Sequence, residues 1–220
     1  MRTRYWSMIL ALAFISLEST AQVPVREEPR HKPVLVNEYF RMLDVIIPPG
    51  DTTLYHIHET PSLFLRFTST YVASQVKDSA WSEKSKSIKG DADYDYFTNT
   101  RVHRVSNQDR DTFHVTDIEI LSAYRPDAKI SPLPFSLLFD NEKAFAYRIT
   151  DMANGKQEIR NRGPIIAALV EGNSVILREE GTKVSTKIKP GKFAYLKPGG
   201  SYYFSMGKNE KINLVIFELK

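Results

Sequence analysis

From residue 34 onward apolar residues come in short bursts of β-branched and aromatic side chains, and each burst ends on a cluster of Pro, Gly, Asn or Asp. Segments 34–47, 53–58, 63–76, 93–97, 101–106 and 112–121 carry this pattern. Their punctuation falls at Pro48-Pro49-Gly50-Asp51, Thr60-Pro61, Lys89-Gly90-Asp91 and residues 107–111. No helical period is sustained, so the pattern predicts many short strands in an all-β sandwich or barrel. Residues 123–143 contain Pro126, Pro132 and Pro134 without clear alternation, which predicts a linker with an apolar knot at 135–139. Strand-like runs resume at 144–150, 164–170, 174–178, 184–188, 192–196, 201–206 and 211–219, split by Gly- and Pro-bearing turns. The repeated rhythm predicts two similar units, 35–122 and 144–220.

The N-terminus departs from this rhythm. Arg2 and Arg4 precede an apolar run over 8–17, and Ser19-Thr20-Ala21 supplies small residues at a cleavage point. That order predicts a signal peptide over 1–21, cut after Ala21, and hence a secreted or periplasmic protein. The run is shorter than the roughly 20 residues of a membrane-spanning helix, so no stable membrane anchor is expected. Residues 22–34 hold three prolines among charges of both signs and predict an extended, poorly packed leader. With no cysteine, the chain has neither disulfides nor a cysteine nucleophile, and its core alone must hold it together. The net charge of +4 becomes +3 without Arg2, Arg4 and Glu18, and acids and bases are interspersed rather than striped. Nucleic acid is therefore not an expected partner.

Candidate chemistry begins at His56 and His58. In an extended strand these two rings point the same way, while Tyr55 and Ile57 point oppositely. Neutral imidazole is a common ligand of first-row transition metals, and His103 on a neighbouring strand is the candidate third donor. Gly50, His56 and His58, with His103 and Asn107 downstream, resemble the two motifs of the cupin superfamily. The first runs Gly, five residues, His-x-His, three or four residues, Glu, six residues, Gly; the second ends in His, three residues, Asn. The glutamate of the first motif would fall at Ser62 or Leu63, neither of which is a carboxylate, and Glu59 alternates to the opposite face. The second motif also lacks its Pro-x-Gly before His103. In the second half, setting Gly155 on Gly50 puts Asn161 and Gly163 in the histidine places, and no histidine follows His114. The resemblance therefore implies two tandem cupin-like double-stranded β-helix barrels, a bicupin, with a metal-type motif only in the first. It further implies a divalent transition metal on His56, His58 and His103, with Fe, Zn, Mn, Ni and Cu undistinguished, and a small-molecule ligand.

Ser62, Phe64 and Arg66 share one face of the next strand by alternation, and Tyr94 and Tyr96 share another. If those faces look into the barrel, Ser62, Phe64, Arg66 and Tyr96 are the candidate substrate-binding residues, with Arg66 as a fork for a carboxylate. His114 reads as structural, His31 as a leader residue without a specific role, and Asn107 as a side chain that satisfies turn backbone. Three readings stay open: a metal-dependent, dioxygenase-like enzyme; a non-catalytic periplasmic module that binds or senses a small molecule or sugar; and a structural barrel with vestigial histidines. No general base is evident, and self-association into a homo-oligomer is left undecided.

Overall fold

A computed structural model of the chain describes residues 22–95, 100–125, 130–152, 156–207 and 211–220. The signal-peptide reading of 1–21 lies outside these residues. The first half comprises β1 (Val23–Pro24), a 3-10 turn (Val25–Glu27), β2 (His31–Val36), β3 (Phe40–Ile47), β4 (His56–His58) and β5 (Ser62–Arg66). It continues through β6 (Thr70–Val76), β7 (Ser85–Ser87), β8 (Ala92–Asp95), β9 (Arg101–Asn107) and β10 (Phe113–Ile120). The second half holds β11 (Ser136–Asp140), β12 (Ala144–Ile149), β13 (Lys156–Arg160), β14 (Ile165–Glu171) and β15 (Val175–Glu179). It ends with β16 (Ser185–Ile188), β17 (Lys192–Leu196), β18 (Ser201–Ser205) and β19 (Asn213–Leu219). Among the described residues there is no α-helix, and none long and apolar enough to cross a membrane.

Four sheets result, with orders β1-β4-β9-β6-β7, β2-β3-β10-β5-β8, β11-β12-β19-β14-β17 and β13-β18-β15-β16. The second half thus repeats the first strand for strand, apart from the short parallel β1. The expected all-β, two-barrel architecture is what the chain forms.

Apolar cores lie between successive sheets. Leu43, Val45, Ile47, Phe113 and Val115 pack against Val72 and Val105 inside the first barrel. Tyr147, Ile165, Leu177, Phe204 and Ile216 fill the second. Between the barrels, Phe40, Met42, Leu63 and Ile118 meet Ala146, Ile166, Val215 and Phe217. The two inner sheets are therefore buried on both faces, which explains why β14 reads Ile-Ile-Ala-Ala-Leu-Val without alternation and is buried throughout those six positions.

Two boundaries differ from the sequence expectation. The segment 22–34 is not a loose leader: β1 pairs in parallel with β4, Val25 is buried in the first core, and β2 pairs with β3, setting His31 opposite Val45. The segment 123–143 is not simply a linker, because β11 pairs with β12. Between the expected runs 63–76 and 93–97 the chain also forms β7, paired with β6. The five unforeseen strands, β1, β2, β7, β11 and β13, are all sheet edges. Edge strands tolerate proline and charge, so their sequences lack the signature of covered strands.

Inside the second barrel Glu218 is fully buried and receives Arg162 through Nε at 2.7 Å and Nη2 at 2.6 Å, with the Tyr147 hydroxyl at 3.3 Å. Removing one member strands the other charge. Arg162→Met should lower unfolding stability in urea by about 3–5 kcal/mol, whereas Arg162→Met combined with Glu218→Leu should recover most of the loss.

Candidate metal centre

Gly50, at φ +72°, turns the chain into the approach to β4 in the left-handed region that favours glycine. Its N–H donates to Asn107 O at 3.1 Å. Asn107 in turn donates from Nδ2 to Ile47 O at 2.9 Å and to Asp111 O at 2.8 Å. The first and last residues of the two motifs thus tie the turns at one end of β4 and β9, and Asn107 serves backbone as expected.

β4 and β9 are antiparallel neighbours with His56 directly opposite His103. Ring centroids are 4.6 Å apart for His56–His103, 5.0 Å for His58–His103 and 5.1 Å for His56–His58. One ligand nitrogen from each of the three lies within 4.8 Å of the others, so the set can converge on a single ion. His56 Nδ1 is 3.0 Å from Leu54 O, which fixes the ring proton there and leaves Nε2 with its lone pair. Both nitrogens of His103 are buried and have no hydrogen bond among the described residues. Burial, with His31 nearby, pushes the His56 imidazole down to about 4. Burial and His56 push His58 down to about 2, and burial lowers His103 further still. All three rings are therefore held neutral, the form that ligates a metal.

The rings open onto a cavity of about 670 Å³, within the size range of small-molecule sites. Phe64 and Arg66 stand in its wall, and Leu138 and Arg148 of the second half join them. Arg66 is already paired with Asp93 at 2.8 Å. Ser62 is wholly buried and lies outside the cavity wall, its hydroxyl 3.4 Å from Thr60 O. Tyr96 falls outside the described residues, while Tyr94 lines the cavity and donates to Glu142 Oε1 at 2.9 Å.

Three wall residues that bear on the histidines or the ligand, His31, Asp117 and Arg148, were not among the sequence candidates. His31 is buried, its ring 4.6 Å from that of His56, and its Nδ1 lies 2.7 Å from Glu28 Oε2. Burial opposes the Glu28 charge, but His31 and the N–H groups of Leu54 and Arg30 outweigh it and hold the carboxyl below its ordinary value. Only the packing of the N-terminal segment puts His31 there, so the sequence held no signal for it. Asp117 lies in β10 on the face of Phe113 and Val115; an acid on an apolar face was a legible signal. Burial, with Glu119 nearby, pushes its carboxyl up to about 8, offset in part by the Ser62 hydroxyl. Arg148 crosses from β12 and donates from Nη2 to Gly90 O at 2.6 Å. His114, by contrast, is outside the cavity wall, bound to Asp44 at 2.6 Å and packed on Phe67, in keeping with a structural role.

No family model matches the sequence, and no curated protein matches it. Solved structures do match in three dimensions. A cupin 2 conserved barrel domain protein from Leptotrichia buccalis aligns with a TM-score of 0.54 at 12% identity, over 86% of this chain and 88% of its own. The fold is the cupin fold. Protein YlbA from E. coli aligns at 0.60 with 8% identity, over 88% of this chain and 84% of YlbA. Salicylate 1,2-dioxygenase from Pseudaminobacter salicylatoxidans aligns at 0.59 with 9% identity, over 89% of this chain and 77% of the enzyme. A variant of that dioxygenase in complex with gentisate aligns at 0.56 with 8% identity, covering 82% and 69%. At such identities the likeness is one of fold, and cupins of one fold host many chemistries.

The displaced proton affinities give the metal-free protein a characteristic acid response. A histidine neutral when folded but ordinary when unfolded contributes stability above 6.5, and this drains away as pH falls toward the folded value, about 4 for His56. Asp117 acts oppositely: folded, it keeps its proton up to about 8, unfolded it loses it near 3.8, so its contribution is lost as pH rises between them. With three histidines against one aspartate, metal-free protein should lose stability in urea on acidification from pH 6.5 to 4. His56→Ala should flatten that slope by about one proton, roughly 1.4 kcal/mol per pH unit.

Proposed function

We propose that this cupin is an exported, metal-dependent enzyme. It holds one divalent transition ion on His56, His58 and His103 and acts on a small organic molecule in the adjoining cavity, with dioxygenase-type chemistry. The observation that carries the reading is His103, whose two ring nitrogens are buried without a hydrogen bond among the described residues while His56 and His58 stand beside it. A buried polar ring without a partner is costly, and a bound cation is the partner that neutral imidazoles serve. Three nitrogen donors suit Fe, Zn, Mn, Ni or Cu. When bound, such an ion supplies Lewis acidity, and iron adds redox chemistry with dioxygen.

The chain's own residues bind and orient. Phe64 offers an apolar wall, while Arg66 and Arg148 offer guanidinium groups, the first already neutralised by Asp93. A small organic acid suits that wall, with its anionic end toward Arg148. The likeness to a dioxygenase named for salicylate supports this choice of substrate class. Confinement inside the first barrel, with Leu138 and Arg148 of the second half at the wall, would keep bulk water from the reacting group.

Metal analysis tests the centre directly. Metal-free protein reloaded with ferrous iron under argon should retain close to one ion per chain, and His56→Ala or His103→Ala should abolish retention while the circular dichroism stays unchanged. Zinc at about 100 times its Kd should add about 2.7 kcal/mol of stability to the wild type and none to those variants. Gentisate should then drive oxygen uptake by the iron-loaded wild type alone. If no stoichiometric ion is retained, the centre is lost; if gentisate raises the melting temperature without turnover, the protein joins the binding modules instead. The export part of the proposal rests on the N-terminal pattern, and N-terminal sequencing of protein recovered from outside the cytoplasm should begin at Gln22.

A further inference from the structure

One carboxylate inside the first barrel is not explained by folding. Asp117 is 1% exposed, and neither carboxylate oxygen has a hydrogen bond of normal geometry among the described residues. Its Oδ2 lies 3.6 Å from His58 Nδ1. Burying a carboxylate on such terms works against stability, so its presence calls for another reason.

The second barrel supplies the comparison. In β10, Glu119 stands between Arg41 and Ser62, and Asp117 between Leu43 and Phe64. In β19, Glu218 stands between Phe145 and Ile165, and Ile216 between Tyr147 and Ala167. Glu119 and Glu218 thus occupy the same row of the two sheets, and each is bound by an arginine, Arg41 at 2.8 Å and Arg162 at 2.6 Å. That acid belongs to the framework common to both barrels. One row further in, where the first barrel has Asp117, the second has Ile216, fully buried in apolar surroundings. An aliphatic side chain satisfies the position when no histidines face it, and the acid occurs only opposite them.

We propose that Asp117 is the positioning carboxylate of the metal centre, accepting the Nδ1–H of His58 so that Nε2 is presented to the ion. The inference rests on the three-histidine reading above. Asp117 is outside the group of side chains whose donor atoms lie within 4.8 Å of one another, so it acts through His58 rather than on the ion. At 3.6 Å the pair exceeds hydrogen-bond length. Ligation through Nε2 places the ring proton on Nδ1, facing the carboxylate, and makes the closer contact favourable. The backbone carbonyl of Leu54 does the same for His56 at 3.0 Å. Ser62 occupies a place where the cupin motif would carry a glutamate, and its neighbouring strand β10 brings a carboxylate to the histidines by another route.

The test uses the full chain and zinc, with affinity read by competition against a chromophoric chelator. Asp117→Leu should bind zinc about 10–100-fold more weakly than wild type, yet its metal-free form should melt no lower, because Ile216 shows that the framework accepts an aliphatic there. Asp117→Asn retains an acceptor oxygen and should fall between the two. Wild-type uptake of one zinc with unaltered affinity in Asp117→Leu overturns this inference alone. So does an Asn variant no tighter than Leu, since the acceptor would then be irrelevant. A wild type that binds no zinc overturns the three-histidine reading and takes this inference with it.

Discussion

Two of the four sheets carry apolar side chains on both faces, and no arrangement leaves such a sheet beside water. The sheet containing β3, β10 and β5 therefore packs its outer face on that of β12, β19 and β14, with Phe40, Met42, Leu63 and Ile118 meeting Ala146, Ile166, Val215 and Phe217. Small residues on β12 and β14, Ala144, Ala146 and Ala168, let the larger ones of the first half seat closely. This back-to-back contact holds the barrels against each other, so each must cover its remaining inner face with a more polar outer sheet. It also brings Leu138 and Arg148 of the second half to the wall of the first half's cavity. The second barrel is thus part of the site and not merely beside it.

The barrels share a plan and differ in what fills them. In the second, Tyr147, Ile165, Phe204 and Ile216 occupy the interior, and Glu218, its one buried acid among the described residues, is neutralised by Arg162. In the first, the corresponding space is lined by His56, His58, His103 and Asp117 and remains a cavity. A filled barrel maximises dispersion and apolar burial; a hollow one gives up some of both and keeps neutral imidazoles in a dry place. Ionic and polar groups that weaken a fold cluster where ligands are handled.

Desolvation links the geometry to chemistry. Rings kept neutral across the physiological range compete with no proton for a cation, and acceptors at Leu54 and Asp117 lie toward Nδ1 of two of them. Glu28 and His31 add a second carboxylate–imidazole pair next to His56, delivered by the start of β2 and the turn before it. The N-terminal strands are consequently a wall of the centre as well as an edge of the sheets.

Much of this was legible in the residues themselves. The turn-punctuated β-branched and aromatic runs determine a two-unit β-protein, and Gly50, His56, His58, His103 and Asn107 at cupin spacing pick out three rings that do converge. Alternation also placed Phe64 and Arg66 on the cavity side. It could not separate the buried Ser62 from that wall, nor tell that Asp93 neutralises Arg66, because partners across strands are not encoded in spacing along one strand. The edge strands β1, β2, β7, β11 and β13 escaped for a related reason: with one flank unpaired, they carry prolines and charges that read locally as loop. Sequence alone determined which short segments extend and which histidines share a face, since both follow from backbone geometry and side-chain period. Only tertiary structure decided that His31, Asp117 and Arg148 surround those histidines, because residues from distant segments meet only when the sheets stack.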